Sequence, residues 1–265
     1  MVIEMKKRCT AVILAAGSGS RMKSKTAKQF MLLGGKPLIW HSLQAVENSG
    51  IIDDCIVVTG ESDVAFVREN IIEKYGFRKV AAVVAGGGER CESVGNALSF
   101  IADGSMRVPN REGYIFIHDG ARPFLTEELL RSTWEAVREH HACVAAVPSK
   151  DTVKLSDEKG FVQATPDRRS VWIVQTPQVF DAELIIRAYA MLRQRAEAEG
   201  RDCVSVTDDA SVVELFTDCR VKLAEGSYGN IKITTPEDLK LAEALLANEE
   251  VIAASRDGNG EGVET

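Results

Sequence analysis

The 265-residue sequence predicts an α/β fold, doubly wound around a mostly parallel sheet in the Rossmann-like manner. Three observations carry this expectation. Short, near-continuously apolar runs recur along the chain, helical patterns separate them, and a glycine-rich turn follows the first run directly. Unbroken apolar runs are typical of strands buried on both faces. Strand–helix alternation is the pattern that builds such a sheet.

The runs are Ala11–Leu14, Ile56–Val58, Val80–Val84, Tyr114–Ile117 and Cys143–Val147. Helical patterns fall near 39–48, 62–74, 89–102 and 126–140. The rhythm breaks after Val147. Thr152–Leu155 and Val162–Thr165 flank the turn-rich Ser156-Asp157-Glu158-Lys159-Gly160, which reads as a β-hairpin. A hairpin outside the βα rhythm is expected to be an arm, spanning about 149–174. An exposed hairpin is marginal alone, so it either packs on a second subunit or folds back on its own sheet. Helices follow near 181–195 and 207–216, then a strand near Cys219–Ala224. Thr235 as N-cap, Pro236 at the first helical position and Glu237 and Asp238 in the first turn announce a last helix. Residues 1–251 are expected to form a single domain, and 252–265, which lack an apolar period, a disordered tail.

Composition narrows the class. The chain is 45% hydrophobic and 27% charged, with a net charge of −7. That charge gives no global attraction to nucleic acid or anionic membrane, so neither is an expected partner. No apolar run reaches the roughly 20 residues of a membrane helix. The six cysteines, at 9, 55, 91, 143, 203 and 219, form no Cys-x-x-Cys pair. This argues for reduced thiols in a cytoplasmic protein rather than for zinc or a disulfide scaffold.

The segment Ala15-Ala16-Gly17-Ser18-Gly19-Ser20-Arg21-Met22 follows the first strand. Small residues let the backbone turn tightly and face its N–H groups to an anion. Met22 occupies the third glycine position of a dinucleotide fingerprint, and no Gly-Lys-Ser/Thr closes a Walker loop. Taken alone, the glycines fit a plain strand-to-loop turn equally well. Arg21, Lys23, Lys25, Lys28 and Lys36 then follow with no acidic residue among them, a local cationic patch in an acidic chain. Arg21 and Lys28 are best placed for a triphosphate.

Ala-Ala-Gly-x-Gly-x-Arg-Met followed by Lys-Gln-Phe resembles the sugar-phosphate nucleotidyltransferases. From about residue 9 to 247 the chain more closely resembles the 2-C-methyl-D-erythritol 4-phosphate cytidylyltransferase family of the non-mevalonate isoprenoid pathway. The resemblance extends to Gly86-Gly87-Gly88-Glu89-Arg90-Cys91-Glu92-Ser93, His118-Asp119-Gly120-Ala121-Arg122-Pro123, Gln175-Thr176-Pro177-Gln178, Thr207-Asp208-Asp209-Ala210 and Asn230-Ile231-Lys232.

What it implies is a nucleotidyltransferase fold, with CTP and a sugar-alcohol phosphate as substrates, magnesium bound mainly through the triphosphate, and a homodimer formed through the arm. It implies Arg21, Lys28 and Lys232 as catalytic cations, and Ala15, Ala16, Gly17, Gly19, Gly87, Gly88, Ser93, Asp119 and Gly120 around CTP. Asp119, Arg122, Thr152, Arg168, Thr176 and Thr207 would contact the acceptor, with Thr152 and Arg168 reaching into the partner's site. No residue is expected to form a metal cage.

Several readings stay open on the residues alone. The resemblance implies an Asp, in many members of that family, where this chain has Gly88. Arg122 could hold Asp119 rather than substrate, Thr207 could be a helix cap, and Arg169 adjoins Arg168. His118 is not expected to act as a base, because a phosphate monoester is already ionised near neutral pH. A ribitol 5-phosphate cytidylyltransferase and a silent nucleotide-binding regulator are the alternative functions.

Overall fold

The computed structural model describes residues 7–17, 27–106, 110–199 and 206–257. Its central sheet has seven strands: β1 (Cys9–Ala15), β4 (Asp54–Thr59), β5 (Val80–Ala85), β6 (Tyr114–Asp119), β7 (Ala142–Pro148), β10 (Trp172–Asp181) and β11 (Lys222–Glu225). The spatial order is β5-β4-β1-β6-β10-β7-β11. Only β10 runs against its neighbours, pairing antiparallel with both β6 and β7. The mostly parallel sheet is therefore as expected.

Alternation along the inner strands builds two cores. Ala11, Ile13, Cys55, Val57, Tyr114 and Phe116 face helices α1 (Leu38–Asn48), α2 (Val64–Val67) and α4 (Glu127–His140). Val12, Ile56, Val58, Ile115 and Ile117 face α3 (Arg90–Ala102), α5 (Ala182–Glu199) and α6 (Asp209–Phe216). Both faces are covered, which is why these strands read as unbroken apolar runs.

Caps fix the helix starts. The Thr126 hydroxyl accepts from Leu129 N at 3.2 Å to start α4. Helix α7 (Pro236–Asp257) begins as expected, with Asp238 N donating to the Thr235 hydroxyl at 3.3 Å. Asp238 Oδ2 in turn accepts from the N–H groups of Thr234 and Thr235, both at 2.8 Å. This is a reciprocal capping arrangement.

Two expectations need correction, the bounds of the arm and of the tail, and two elements, β10 and a small hairpin, are not anticipated by the sequence. Strand β10 was not expected, because Gln175, Thr176, Pro177 and Gln178 interrupt its apolar pattern. The register shifts between Val174 and Gln178, where the proline falls, and this lets the sheet accept it. The arm is shorter than 149–174, because Trp172, Ile173 and Val174 already pair with Pro148, Val147 and Ala146 of the main sheet. Its own strands are β8 (Leu155–Ser156) and β9 (Val162–Ala164). Helix α7 runs to Asp257, into the expected tail, through the strong helix formers Ala253 and Ala254; residues 258–265 lie outside the described residues. Finally, a small hairpin of β2 (Leu32–Leu33) and β3 (Lys36–Pro37) precedes α1. Gly34 and Gly35 make its two-residue turn with φ of 56° and 74°, a conformation other residues rarely adopt.

Candidate active site

The chain winds outward from β1 to β4 and β5, then returns to place β6 on the other side of β1. The carboxyl ends of β1 and β6 thus form the switch point at which open α/β sheets bind ligands. Ala15, Ala16 and Gly17 leave β1 there. Gly19 and Arg21, with Lys23 and Lys25, lie outside the described residues. Lys28 opens a short 3-10 turn, Lys28–Phe30, anchored by the buried Gln29.

Two glycine-rich segments close in on this point. Gly86 is packed so tightly that a Cβ on it would lie 2.6 Å from Ala16 Cβ and 2.7 Å from Ser93 Oγ. Ser93 is buried; its hydroxyl accepts from Gly87 N at 3.2 Å and donates to Glu89 O at 3.1 Å. Glu92 Oε2 accepts from Gly88 N at 2.7 Å. Ser93 and Glu92 therefore shape the turn after β5. Gly120 N donates to Leu14 O at 2.9 Å, locking the end of β6 to β1.

Asp119, the last residue of β6, is the centre of the site. It is 8% exposed. Its Oδ2 lies 2.7 Å from Lys232 Nζ and its Oδ1 3.3 Å from Arg90 Nε. Burial by itself would raise this carboxyl's pKa, but the charges of Arg90 and Lys232 overcome it and hold Asp119 well below the usual carboxylate range. Asp119 is ionised at any working pH.

Lys232 reaches this position through its neighbours. Ile233 is buried with Leu33, Leu38 and Phe124, and its N–H donates to Ala121 O at 2.9 Å. Asn230 Nδ2 donates to Thr176 O at 2.8 Å, and Arg122 Nη1 donates to Asn230 O at 2.6 Å. Arg122 thus braces the Asn230–Lys232 segment and makes no ion pair with Asp119, so the Asp119–Arg122 bridge considered from the sequence is not what forms.

Beneath Asp119 a hydrogen-bond chain is fully determined. Asp119 N donates to Thr176 Oγ1 at 3.1 Å, and the Thr176 hydroxyl faces His118 Nδ1 at 3.1 Å. His118 Nε2 meets Arg122 O at 3.1 Å. A carbonyl can only accept, so Nε2 carries the proton and Nδ1 accepts from the threonine. Burial pushes His118 down to about 4, which keeps it neutral. Thr176 is itself buried, and its hydroxyl holds the Asp119 backbone.

Thr207 is exposed and is not the cap of α6; Asp208 is, accepting from Ser211 N at 2.9 Å. Thr152 and Arg168 lie on the exposed arm. Arg168 Nη1 approaches Lys150 O at 3.4 Å, whereas Arg169 is tied to Asp167 at 2.6 Å. Among the described residues, neither Thr152 nor Arg168 has a hydrogen bond or ion pair to the Asp119 cluster.

Three contributors were missed from sequence: Arg90, Asp209 and Tyr189. Arg90 Nη1 and Nη2 grip the carboxylate of the fully buried Asp209 at 2.9 and 2.7 Å. Tyr189 donates its hydroxyl to Asp209 Oδ1 at 2.6 Å. The one available signal was Arg90, a cation directly after a glycine-rich turn.

This fold, with a cationic cluster and glycine-lined turns at the switch point, defines the nucleotidyltransferase class. The family model for 2-C-methyl-D-erythritol 4-phosphate cytidylyltransferase matches residues 9–248, and the chain belongs to that family. A 2-C-methyl-D-erythritol 4-phosphate cytidylyltransferase of Lachnoclostridium phytofermentans is 45% identical over 240 residues, 91% of this chain and 97% of that protein. One from Lachnospira eligens is 43% identical over 237 residues, 89% of this chain and 98% of the relative. The crystal structure of 4-diphosphocytidyl-2C-methyl-D-erythritol synthase from Anaerococcus prevotii superposes with a TM-score of 0.75 at 36% identity, covering 91% of this chain and 96% of that one.

Proposed function

We propose that the chain transfers a cytidylyl group from CTP to 2-C-methyl-D-erythritol 4-phosphate, yielding the CDP-alcohol and pyrophosphate in the non-mevalonate isoprenoid pathway. The observation that carries this reading is the charge at the switch point. Arg90 and Lys232 pair with Asp119 at the strand end and Arg122 braces the Lys232 segment beside it, so three cations gather at one point of a chain of net charge −7. Such a site suits an anionic substrate.

An oxygen of the acceptor phosphate attacks the α-phosphorus of CTP, and the bond to the β-phosphate bridging oxygen breaks. No proton needs to leave the nucleophile. Positioning and charge stabilisation supply the catalysis. Lys28 is assigned to the triphosphate and the departing pyrophosphate, and Arg21, which lies outside the described residues, is assigned there with it on the family resemblance alone. Lys232, held on Asp119 before substrate arrives, turns to the α-phosphate and attacking phosphate. Gly87 and Gly88 receive the base; at Gly88 a Cβ would lie 3.4 Å from Glu92 Oε2.

Magnesium neutralises triphosphate oxygens when bound. Among the described residues no three His, Cys, Asp or Glu side chains gather into a cage. The donor set would suit an ion held chiefly by the nucleotide, with Asp119 near it through water.

The acceptor end is completed across a homodimer, with Thr152 and Arg168 of the arm entering the partner's site. Support comes from the arm's apolar surface: Phe161 is 70% and Val162 61% exposed. The proposed compartment is the cytoplasm, which rests on the scattered cysteines, the five described ones being free thiols. No described helix is long and apolar enough to cross a membrane.

The test is pyrophosphate release from CTP with 2-C-methyl-D-erythritol 4-phosphate or ribitol 5-phosphate. Release with the first acceptor is expected. Preference for ribitol 5-phosphate would move the acceptor assignment, and binding of CTP without release would mark a regulator.

A further inference from the structure

Arg90 sits between two carboxylates that compete for it. One face of its guanidinium is bidentate to Asp209, at 2.9 and 2.7 Å; its Nε reaches Asp119 more loosely, at 3.3 Å. Asp209 is 0% exposed and is built in from several directions. Tyr189 of α5 donates to it at 2.6 Å. Gln178 of β10 anchors the start of α6 on both sides of it, donating to Asp208 Oδ2 at 2.8 Å and accepting from Ala210 N at 3.0 Å. An ionised group removed from water this completely is costly unless its partner geometry is good. Nothing in α6 itself needs it, because Asp208 already caps the helix.

We propose that Asp209, oriented by Tyr189, is a positioning residue for cytidylyl transfer: it aims Arg90 and limits how much of that cation's charge reaches Asp119, which sets how firmly Asp119 holds Lys232. This rests on the transferase reading above. The chain of contacts is Tyr189–Asp209–Arg90–Asp119–Lys232, and every link is a hydrogen bond or ion pair of 3.3 Å or less. Lys232 has to leave Asp119 to meet the phosphates. If Arg90 swings free of Asp209, both oxygens of Asp119 change partners and the lysine loses its starting position. Asp209 is fully buried and has no surface open to a substrate, so its effect belongs in turnover and not in binding.

The experiment is a double-mutant cycle on the full-length enzyme, read as pyrophosphate release with CTP and 2-C-methyl-D-erythritol 4-phosphate. Asp209→Asn keeps the shape and loses the charge. It is expected to lower kcat about 10- to 100-fold, with KM for both substrates within about threefold, the size of effect seen when a preorganised electrostatic partner is lost. Arg90→Met is expected to cost at least as much. In the Arg90→Met background, Asp209→Asn should change kcat by less than about twofold, because its route to the site is gone. Multiplying effects, or an unchanged kcat in Asp209→Asn, would overturn the proposal, since a merely structural carboxylate acts independently of Arg90. Tyr189→Phe keeps the test decisive if Asp209→Asn does not fold. It should lower kcat severalfold at unchanged KM, and full turnover in it would count against the proposal. A wild-type protein that releases no pyrophosphate would instead sink the transferase reading.

Discussion

Lys232 Nζ rests 2.7 Å from Asp119 Oδ2, although the two residues arrive from different ends of the domain, one on a loop before α7 and one at the tip of β6. The lysine side chain is 40% exposed and the carboxylate 11%. A mobile ammonium is thus parked on a fixed anion at the mouth of the site, where an arriving phosphate can compete for it. Replacing Lys232 or Lys28 by Ala should lower kcat about 10²- to 10³-fold, the usual cost of one preorganised donor. Far-UV circular dichroism should stay close to wild type in both, and Tm in Lys28→Ala, whereas Lys232→Ala takes one of its two cations from the buried Asp119 and should lower Tm. Full activity in either variant would remove that lysine from the mechanism.

The shared-site proposal makes a sharper demand. Arg168→Ala and Lys28→Ala should each be nearly inactive as homodimers. Mixed hybrids carry one site with both defects and one with neither, so refolding the two together should restore part of the turnover. Absence of recovery, with hybrids demonstrated by mass or differential tagging, would confine each site to one chain.

Gly86 and Gly88 should respond differently to the same change. A methyl at Gly86 runs into Ala16 and Ser93, at 2.6 and 2.7 Å, and has to pry the two turns apart. Gly86→Ala should therefore raise KM for CTP and lower Tm, an overpacking cost of about 1–3 kcal/mol. At Gly88 the nearest atom is 3.4 Å away, so Gly88→Ala should leave both within error. Equal effects at the two positions would show that the packing of the turns is not what matters. Calorimetry and CTP titration read both.

His118 gives the folded state a pH dependence. An unfolded histidine takes its proton near 6.5; in the fold, burial holds His118 down to about 4. Between these values the unfolded chain binds more protons. Stability should be level above about pH 7 and fall as pH drops toward 4, by at most about 3 kcal/mol from this residue. His41, also lowered by burial, shares the window. Urea midpoints from pH 7.5 to 4.5 should slope less in His118→Gln than in wild type, and identical slopes would show that His118 is not responsible. Asp119 acts only at lower pH, where stability is lost as it is finally protonated.

Local pattern was enough for much of this protein. Five strands, β1, β4, β5, β6 and β7, the helices between them and the cap of α7 are legible because apolar periodicity and capping act over a few residues. The glycine turns and the cations near them are legible for the same reason: a phosphate site at a strand end is written in adjacent residues. Tertiary structure decided what adjacency does not encode. Strand β10 is polar at its middle because Gln175, Thr176 and Gln178 reach out of the sheet to hold the loops of the site, donating or accepting at Ser227, Asp119 and Asp208. Arg90 and Asp209 are 119 residues apart in sequence and bidentate in space. No spacing rule predicts that pair, because its partners meet only after the sheet has wound α3 and α6 onto the same face.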